Sequence, residues 1–134
     1  MTDPQQVTYF SRLDQDECWA LLGETEVGRI AWQGNAGIVV VPVNYQLSDR
    51  TIVFHTAPDS ALAKLADGRD LSFQVDEIDR DSAIGWSVLV HGPAGPADAS
   101  VANTSWLEGE RTMGVAITAS SIDGRVVSGT KKKG

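Results

Sequence analysis

A chain of 134 residues and 14.3 kDa has room for one domain with a buried core. Its net charge of −7 repels nucleic acid and anionic lipid, and no apolar run approaches the roughly 20 residues that span a bilayer. A single cysteine, Cys18, excludes an intramolecular disulfide, and Cys18, His55 and His91 match no metal-ligand spacing.

Residues 1–12 read as a polar lead-in without the basic-then-apolar order of a secretion signal, so a cytoplasmic protein is expected. Asp14 and Glu17 form a capping-box pattern ahead of a short amphipathic helix that carries Cys18, Trp19, Leu21 and Leu22 and stops at Gly23. Cys18 is expected to be a buried thiol. Thr25–Gln33 alternates as a strand, and Gly34–Asn35–Ala36–Gly37 makes a turn.

Ile38–Tyr45 and Thr51–Thr56 then read as two long strands joined by a reversal at Ser48–Asp49–Arg50. The run Ile38–Val43 is continuously apolar, which predicts cover on both faces, while Pro42 requires a local edge or bulge. Pro58–Ala66 carries capping residues and alanines and predicts a second helix, ended by Gly68. Asp70–Ile78 alternates as a strand, and an acidic connection leads into Gly85–Ala94, a strand broken at Gly92–Pro93.

Ala99–Leu107, with Trp106, reads as a short helical or irregular segment. Gly109–Arg111 turns into a last strand, Thr112–Ser121, followed by Asp123–Gly124 and Arg125–Val127. Lys131–Lys133 supply three of the 11 positive side chains, so the rest of the chain sets 8 against 18 acidic groups. That tail is too short to bind nucleic acid and reads as solvated. Six or seven strands against two short helices predict an antiparallel barrel.

No hydrolase elbow, phosphate loop or dinucleotide-binding glycine pattern is present, so redox chemistry would need a cofactor. The best anion site is the junction Phe54–Ser60, where Thr56 and Ser60 offer hydroxyls, His55 and Lys64 offer donors, and a helix N-terminus offers free N–H groups. The competing reading makes Thr56 and Ser60 ordinary caps. Trp19 and Trp32 are expected in the core or a dimer contact. His91 is expected to make a structural hydrogen bond, and Arg29 and Arg125 to pair with surface acids.

The order of Glu17–Trp19, Val27–Ile30, Pro42–Tyr45, Ile52–Thr56 and Gly85–Gly92 resembles the pyridoxamine 5′-phosphate oxidase-like family, most closely its small actinobacterial and nitroimidazole-resistance-type members. The resemblance implies a mainly β, six-stranded antiparallel split β-barrel of Greek-key type with two or three short helices. The domain would span residues 13–127, with 128–134 as a disordered tail. It further implies a homodimer that holds flavin mononucleotide (FMN) in two interface clefts and transfers hydride or electrons to a small acceptor. Val41, Pro42, Val43 and Asn44 would run beside the flavin ring, and His55, Thr56, Ser60 and Lys64 would hold the phosphate. Trp86 and Ser87 would border the dimer, and Trp106 would close the cleft from the partner. No side-chain acid or base would be obligatory. Ala61 stands where many relatives have lysine, and His55 where many have arginine. These departures motivate the alternative of a non-catalytic dimer that senses or holds flavin, haem or a tetrapyrrole, or has lost its cofactor; the resemblance also allows a deazaflavin in place of flavin, as in related barrels.

Overall fold

A computed structural model describes residues 9–98 and 112–129. Trp106, the segment Ala99–Leu107 and the lysine tail lie outside those residues.

The capping box forms as expected. Asp14 accepts from the Glu17 amide at 2.8 Å, and Glu17 accepts from the Asp14 amide at 3.2 Å. They start helix α1 (Gln15–Gly23), whose Cys18 and Leu22 are buried. A Cβ at Gly124 would stand 2.5 Å from Cys18 Sγ, so that glycine lets the helix lie flat on the sheet.

Among the described residues, nine strands follow one antiparallel plan. They are β1 (Tyr9–Leu13), β2 (Val27–Gly34), β3 (Gly37–Asn44), β4 (Gln46–Ser48), β5 (Thr51–Thr56), β6 (Asp70–Asp79), β7 (Ile84–Pro96), β8 (Met113–Thr118) and β9 (Ser121–Ser128). The ladder runs β3-β2-β6-β7-β8-β5-β4, with β9 joining β7 and β1. Strand pairing thus includes Tyr9–Leu13, largely inside the stretch expected to be a lead-in, because it matches Gly124–Ser128 residue for residue.

The most consequential difference concerns the expected hairpin. β3 does not pair with β5; it pairs with β2 along its whole length, from Val27↔Asn44 to Gly34↔Gly37. Only the three-residue β4 returns along β5. The chain turns sharply at Tyr45, which alone separates β3 from β4, and these two strands are the two ends of the ladder. A sheet whose ends are consecutive in the chain but share no ladder is a barrel left open along one seam.

Tyr45 holds that seam. Its side chain is 3 % exposed and meets the Phe73 ring edge-on at 4.8 Å. Its hydroxyl donates to the Leu22 carbonyl at 2.5 Å and takes a very short hydrogen bond from Thr25 Oγ1, while its amide donates to the Glu26 carbonyl at 3.0 Å. The core around it includes Ile30, Phe54, Phe73, Val75, Val88 and Val90, all inward-facing by strand alternation.

β7 also departs from expectation. Gly92–Pro93 does not end the strand; it is where β7 changes partner on one edge, from β9 (through His91) to β8 (from Ala94). A Cβ at Gly92 would collide with the Thr118 carbonyl, so the close crossing of β7 by the β8–β9 turn needs glycine. The second helix expected after Pro58 is a 3-10 turn of three residues, Ala63–Leu65. Leu65 is drawn into the core, and the chain reverses at Gly68 with φ of 93°.

Tyr45→Phe should lower stability by about 0.5–1.5 kcal/mol, because the Leu22 carbonyl loses its shorter donor and keeps only the Thr25 hydroxyl at 3.4 Å. Burial raises the Tyr45 pKa above 10.0, with the Thr25 hydrogen bond opposing it. The folded state therefore keeps a proton that the unfolded chain loses above pH 10, and stability falls as pH rises through the folded pKa. Alkaline unfolding followed by circular dichroism should show this steepening in the wild type and less of it in Tyr45→Phe.

Candidate functional site

β3 is the least covered strand of the sheet. Ile38 is 73 % exposed and Val40 is 55 % exposed, contrary to the expected cover on both faces. With Pro42 and Asn44 they point outward, while Val41 and Val43 pack against the core. Among the described residues, the strand's other edge has no ladder partner. Pro42 sits opposite Arg29 in an unbroken β2–β3 register, so the strand keeps its pairing there without a bulge. An apolar strand with one open edge is a site for association or for a flat ligand.

Beside it lies a recess of about 360 Å³ lined by Thr25, Glu26, Asn44, Tyr45 and Gln46 among others. Gln46 pairs with Val53, two residues before His55, so the bend at Asn44–Gln46 lies alongside the last residues of β5.

The residues expected to hold a phosphate divide. Thr56 is 1 % exposed, and its hydroxyl meets that of Ser60 at 2.7 Å. Ser60 Oγ accepts from the Ala63 amide at 3.1 Å, and the Ser60 amide donates to the Ala57 carbonyl at 3.1 Å. These hydroxyls therefore close the turn after β5. The α-helix N-terminus expected there does not form, since the turn is 3-10. Successive strand residues face opposite ways, so His55 points away from Thr56 and lies against Gly114, where a Cβ would stand 3.2 Å from His55 Nε2. Lys64 is exposed on the same turn as Ser60.

Trp86 and Ser87 likewise separate. Trp86 packs against the core and lines an apolar recess of about 380 Å³ with Leu13, Leu21, Ile84 and Val126. Ser87 faces the outer surface, in register with Asp76 and Arg125. Three ladder spacings of about 4.8 Å separate β3 from β7, so Asn44 and Ser87 stand roughly 14 Å apart across one sheet. Trp19 and Trp32 are partly buried against the core, as expected.

The outer face of β2, β6 and β7 carries a polar network. Arg29 donates to Gln74 at 3.1 Å and pairs with Asp76 at 3.4 Å, and Gln74 donates to Asp76 at 3.0 Å. His91 Nδ1 meets Ser72 Oγ at 2.8 Å, the structural hydrogen bond expected of it. Arg125 differs from expectation, because no acid among the described residues pairs with it. It stands directly opposite Arg12 in the β1–β9 register. Nothing in the local sequence marks Arg12, because its strand pairing is set more than a hundred residues away.

The thiol of Cys18 is held protonated by burial first, and then by the charges of Asp123, Asp14 and Glu17. That setting removes it as a nucleophile.

Residues 14–126 match the family model for pyridoxamine 5′-phosphate oxidase. The chain belongs to this family. Among solved structures similar to this family member, the FAD-binding protein of Mycobacterium smegmatis shares 29 % identity and a TM-score of 0.71, covering 88 % of this chain and 98 % of its own. An FAD-binding protein of Mesorhizobium loti shares the fold, with 22 % identity and a TM-score of 0.75 over 91 % of this chain and 99 % of its own. The uncharacterized protein Rv0080 of Mycobacterium tuberculosis is 30 % identical over 96 residues, 68 % of this chain. The match spans 63 % of Rv0080's own length.

Thr56→Val keeps volume but removes the hydroxyl that meets Ser60. It should cost about 0.5–1.5 kcal/mol and speed hydrogen exchange at the Ala63 amide. Unchanged protection at Ala63 would mean that this pair does not close the turn.

Proposed function

We propose that this chain is a flavin-binding oxidoreductase that works as a homodimer, with the ring along the open edge of β3 and the phosphoryl end toward the turn at Ser60–Lys64. The observation that carries this reading is the match, over 88 % of this chain, to an FAD-binding protein at 29 % identity.

The residues fit such a group. An open strand edge offers alternating backbone donors and acceptors, which suit the amide-like edge of an isoalloxazine ring. Pro42 withholds one donor, leaving that stretch to offer carbonyls and apolar surface. Outward-facing Ile38, Val40 and Val27, which is 42 % exposed, give the apolar surface that a partner subunit would cover. Lys64 is the exposed cation of the turn and pairs with a phosphate there.

A bound flavin would supply hydride or single-electron transfer between a donor such as reduced nicotinamide and a small acceptor. This chain's part is to hold the ring, keep water from one of its faces and leave the other open. The Mycobacterium smegmatis and Mesorhizobium loti proteins bind FAD, whereas the turn at Ser60–Lys64 asks only for the phosphoryl group that FMN and FAD share.

Titration of the protein with FMN, FAD and riboflavin, followed by flavin fluorescence and absorbance, tests the reading. Saturable binding of a nucleotide at tens of micromolar or below is expected. Lys64→Gln should weaken nucleotide binding about tenfold or more and leave riboflavin unchanged, since it removes one charge-assisted contact. No saturable flavin binding, or a monomer by light scattering, would overturn the proposal. Flavin bound without turnover of reduced nicotinamide would instead favour a binding or sensing dimer.

A further inference from the structure

The outer end of the sheet holds a second concave site that the flavin reading does not use. Ser11, Arg12, Ser87, Leu89, Asp123 and Arg125 line a cleft of about 600 Å³ where β1, β9 and β7 lie side by side. Arg12 and Arg125 are direct register partners in the antiparallel β1–β9 ladder. Directly opposed residues have Cβ atoms about 4.5–5.5 Å apart and their side chains on the same face, and like charges so placed destabilise a strand pair.

Elsewhere on this chain, three of the described arginines are matched with acids, and a fourth, Arg80, stands alone on an exposed turn with no like charge opposed to it across a ladder. Arg29 pairs with Asp76, Arg50 with Asp16 and Arg69 with Asp67. Neither Arg12 nor Arg125 belongs to any ion pair among the described residues, although the chain carries 18 acidic groups against 11 basic ones. The one carboxylate lining the cleft, Asp123, stands two residues along β9 from Arg125 and offsets only part of the positive charge.

We propose that Arg12 and Arg125 form an anion-binding site, with Ser87 as a hydroxyl donor, that takes the phosphoryl group of a small phosphorylated ligand. Two guanidiniums on adjacent strands present planar forks to one tetrahedral anion, which removes their mutual repulsion and gives each a charge-assisted partner. Ser87 is in register with Arg125 on the other side of β9, so three donors converge from three strands. The cleft is several times the volume of one phosphoryl group and so admits more of the ligand, with Leu89 as an apolar contact. Ligand of this kind reaches a dimeric oxidoreductase from two sources: the flavin nucleotide itself, or a separate phosphorylated donor or acceptor.

Inorganic pyrophosphate is the probe, titrated into the full chain by calorimetry and followed in parallel by thermal unfolding. One saturable site per chain is expected, weakening as salt is raised. Arg12→Gln and Arg125→Gln should each weaken binding tenfold or more, while Asp123→Asn tightens it several-fold. Without pyrophosphate, both arginine variants should melt no lower than the wild type, because each relieves the opposed charges; this separates a lost site from a lost fold. Absence of saturable binding, or affinity indifferent to both arginines, would overturn the proposal. Displacement of pyrophosphate by FMN assigns the site to the flavin's own phosphoryl group, in place of the turn at Ser60–Lys64, and binding of FMN without displacement assigns it to a second ligand; either supports the site. The pyrophosphate titrations and the melting curves use no flavin, so failure of flavin binding would leave them standing.

Discussion

The fold depends on how one tyrosine hydroxyl is satisfied. Tyr45 is the only residue between the two terminal strands of the ladder, and its side chain is buried where α1 gives way to β2. The Leu22 carbonyl at the end of α1 needs a donor, and the phenol supplies it. Thr25 in turn donates to the phenol, so helix end, linker and sheet seam share one short chain of hydrogen bonds. In a low-dielectric interior such a chain is worth more than its members taken singly, and leaving any one unpaired is costly. Because the seam is held by side-chain bonds and packing, β3 keeps an open edge.

That open edge sets the division of labour along β3. Alternation sends Val41 and Val43 inward and Ile38, Val40, Pro42 and Asn44 outward. The same rule separates His55 from Thr56, and Trp86 from Ser87, pairs that look adjacent when read along the chain. A cofactor along β3 would therefore meet its backbone and outer side chains, while the inner valines support the strand from behind. The network of Arg29, Gln74 and Asp76 stiffens the neighbouring outer surface with charge already satisfied, in contrast to Arg12 and Arg125 farther along the sheet.

Local features were legible wherever the deciding interaction is local. The capping box of α1 involves residues three apart, and the burial of Cys18 and Leu22 follows from helical spacing. His91 and Arg29 found partners of the expected kind on a neighbouring strand. The supposed hairpin of Ile38–Thr56 misled because an apolar strand, a turn and another apolar strand satisfy the hairpin pattern whichever strands they pair with. Register is decided by which partner buries more surface, and β2 offers eight residues where the β5 return offers three. The helix expected after Pro58 gave way because Leu65 is anchored in the core and the chain must reverse at Gly68 within a few residues. Helical propensity there contributes only tenths of a kcal/mol per residue, less than burying a leucine.

By itself the sequence determined a mainly β chain with one capped helix, an acidic charge balance and the order of motifs that places it in its family. Each of these rests on residue type, short-range spacing or sums, which need no folded neighbour. Tertiary structure alone decided that β3 is an edge, that the ladder's two ends meet at Tyr45, and that Thr56 spends its hydroxyl on Ser60. It alone brought Arg12, near the start of the chain, opposite Arg125, near its end. Contacts between residues more than a hundred positions apart leave no trace in local pattern, because loop closure costs entropy that only the assembled core repays.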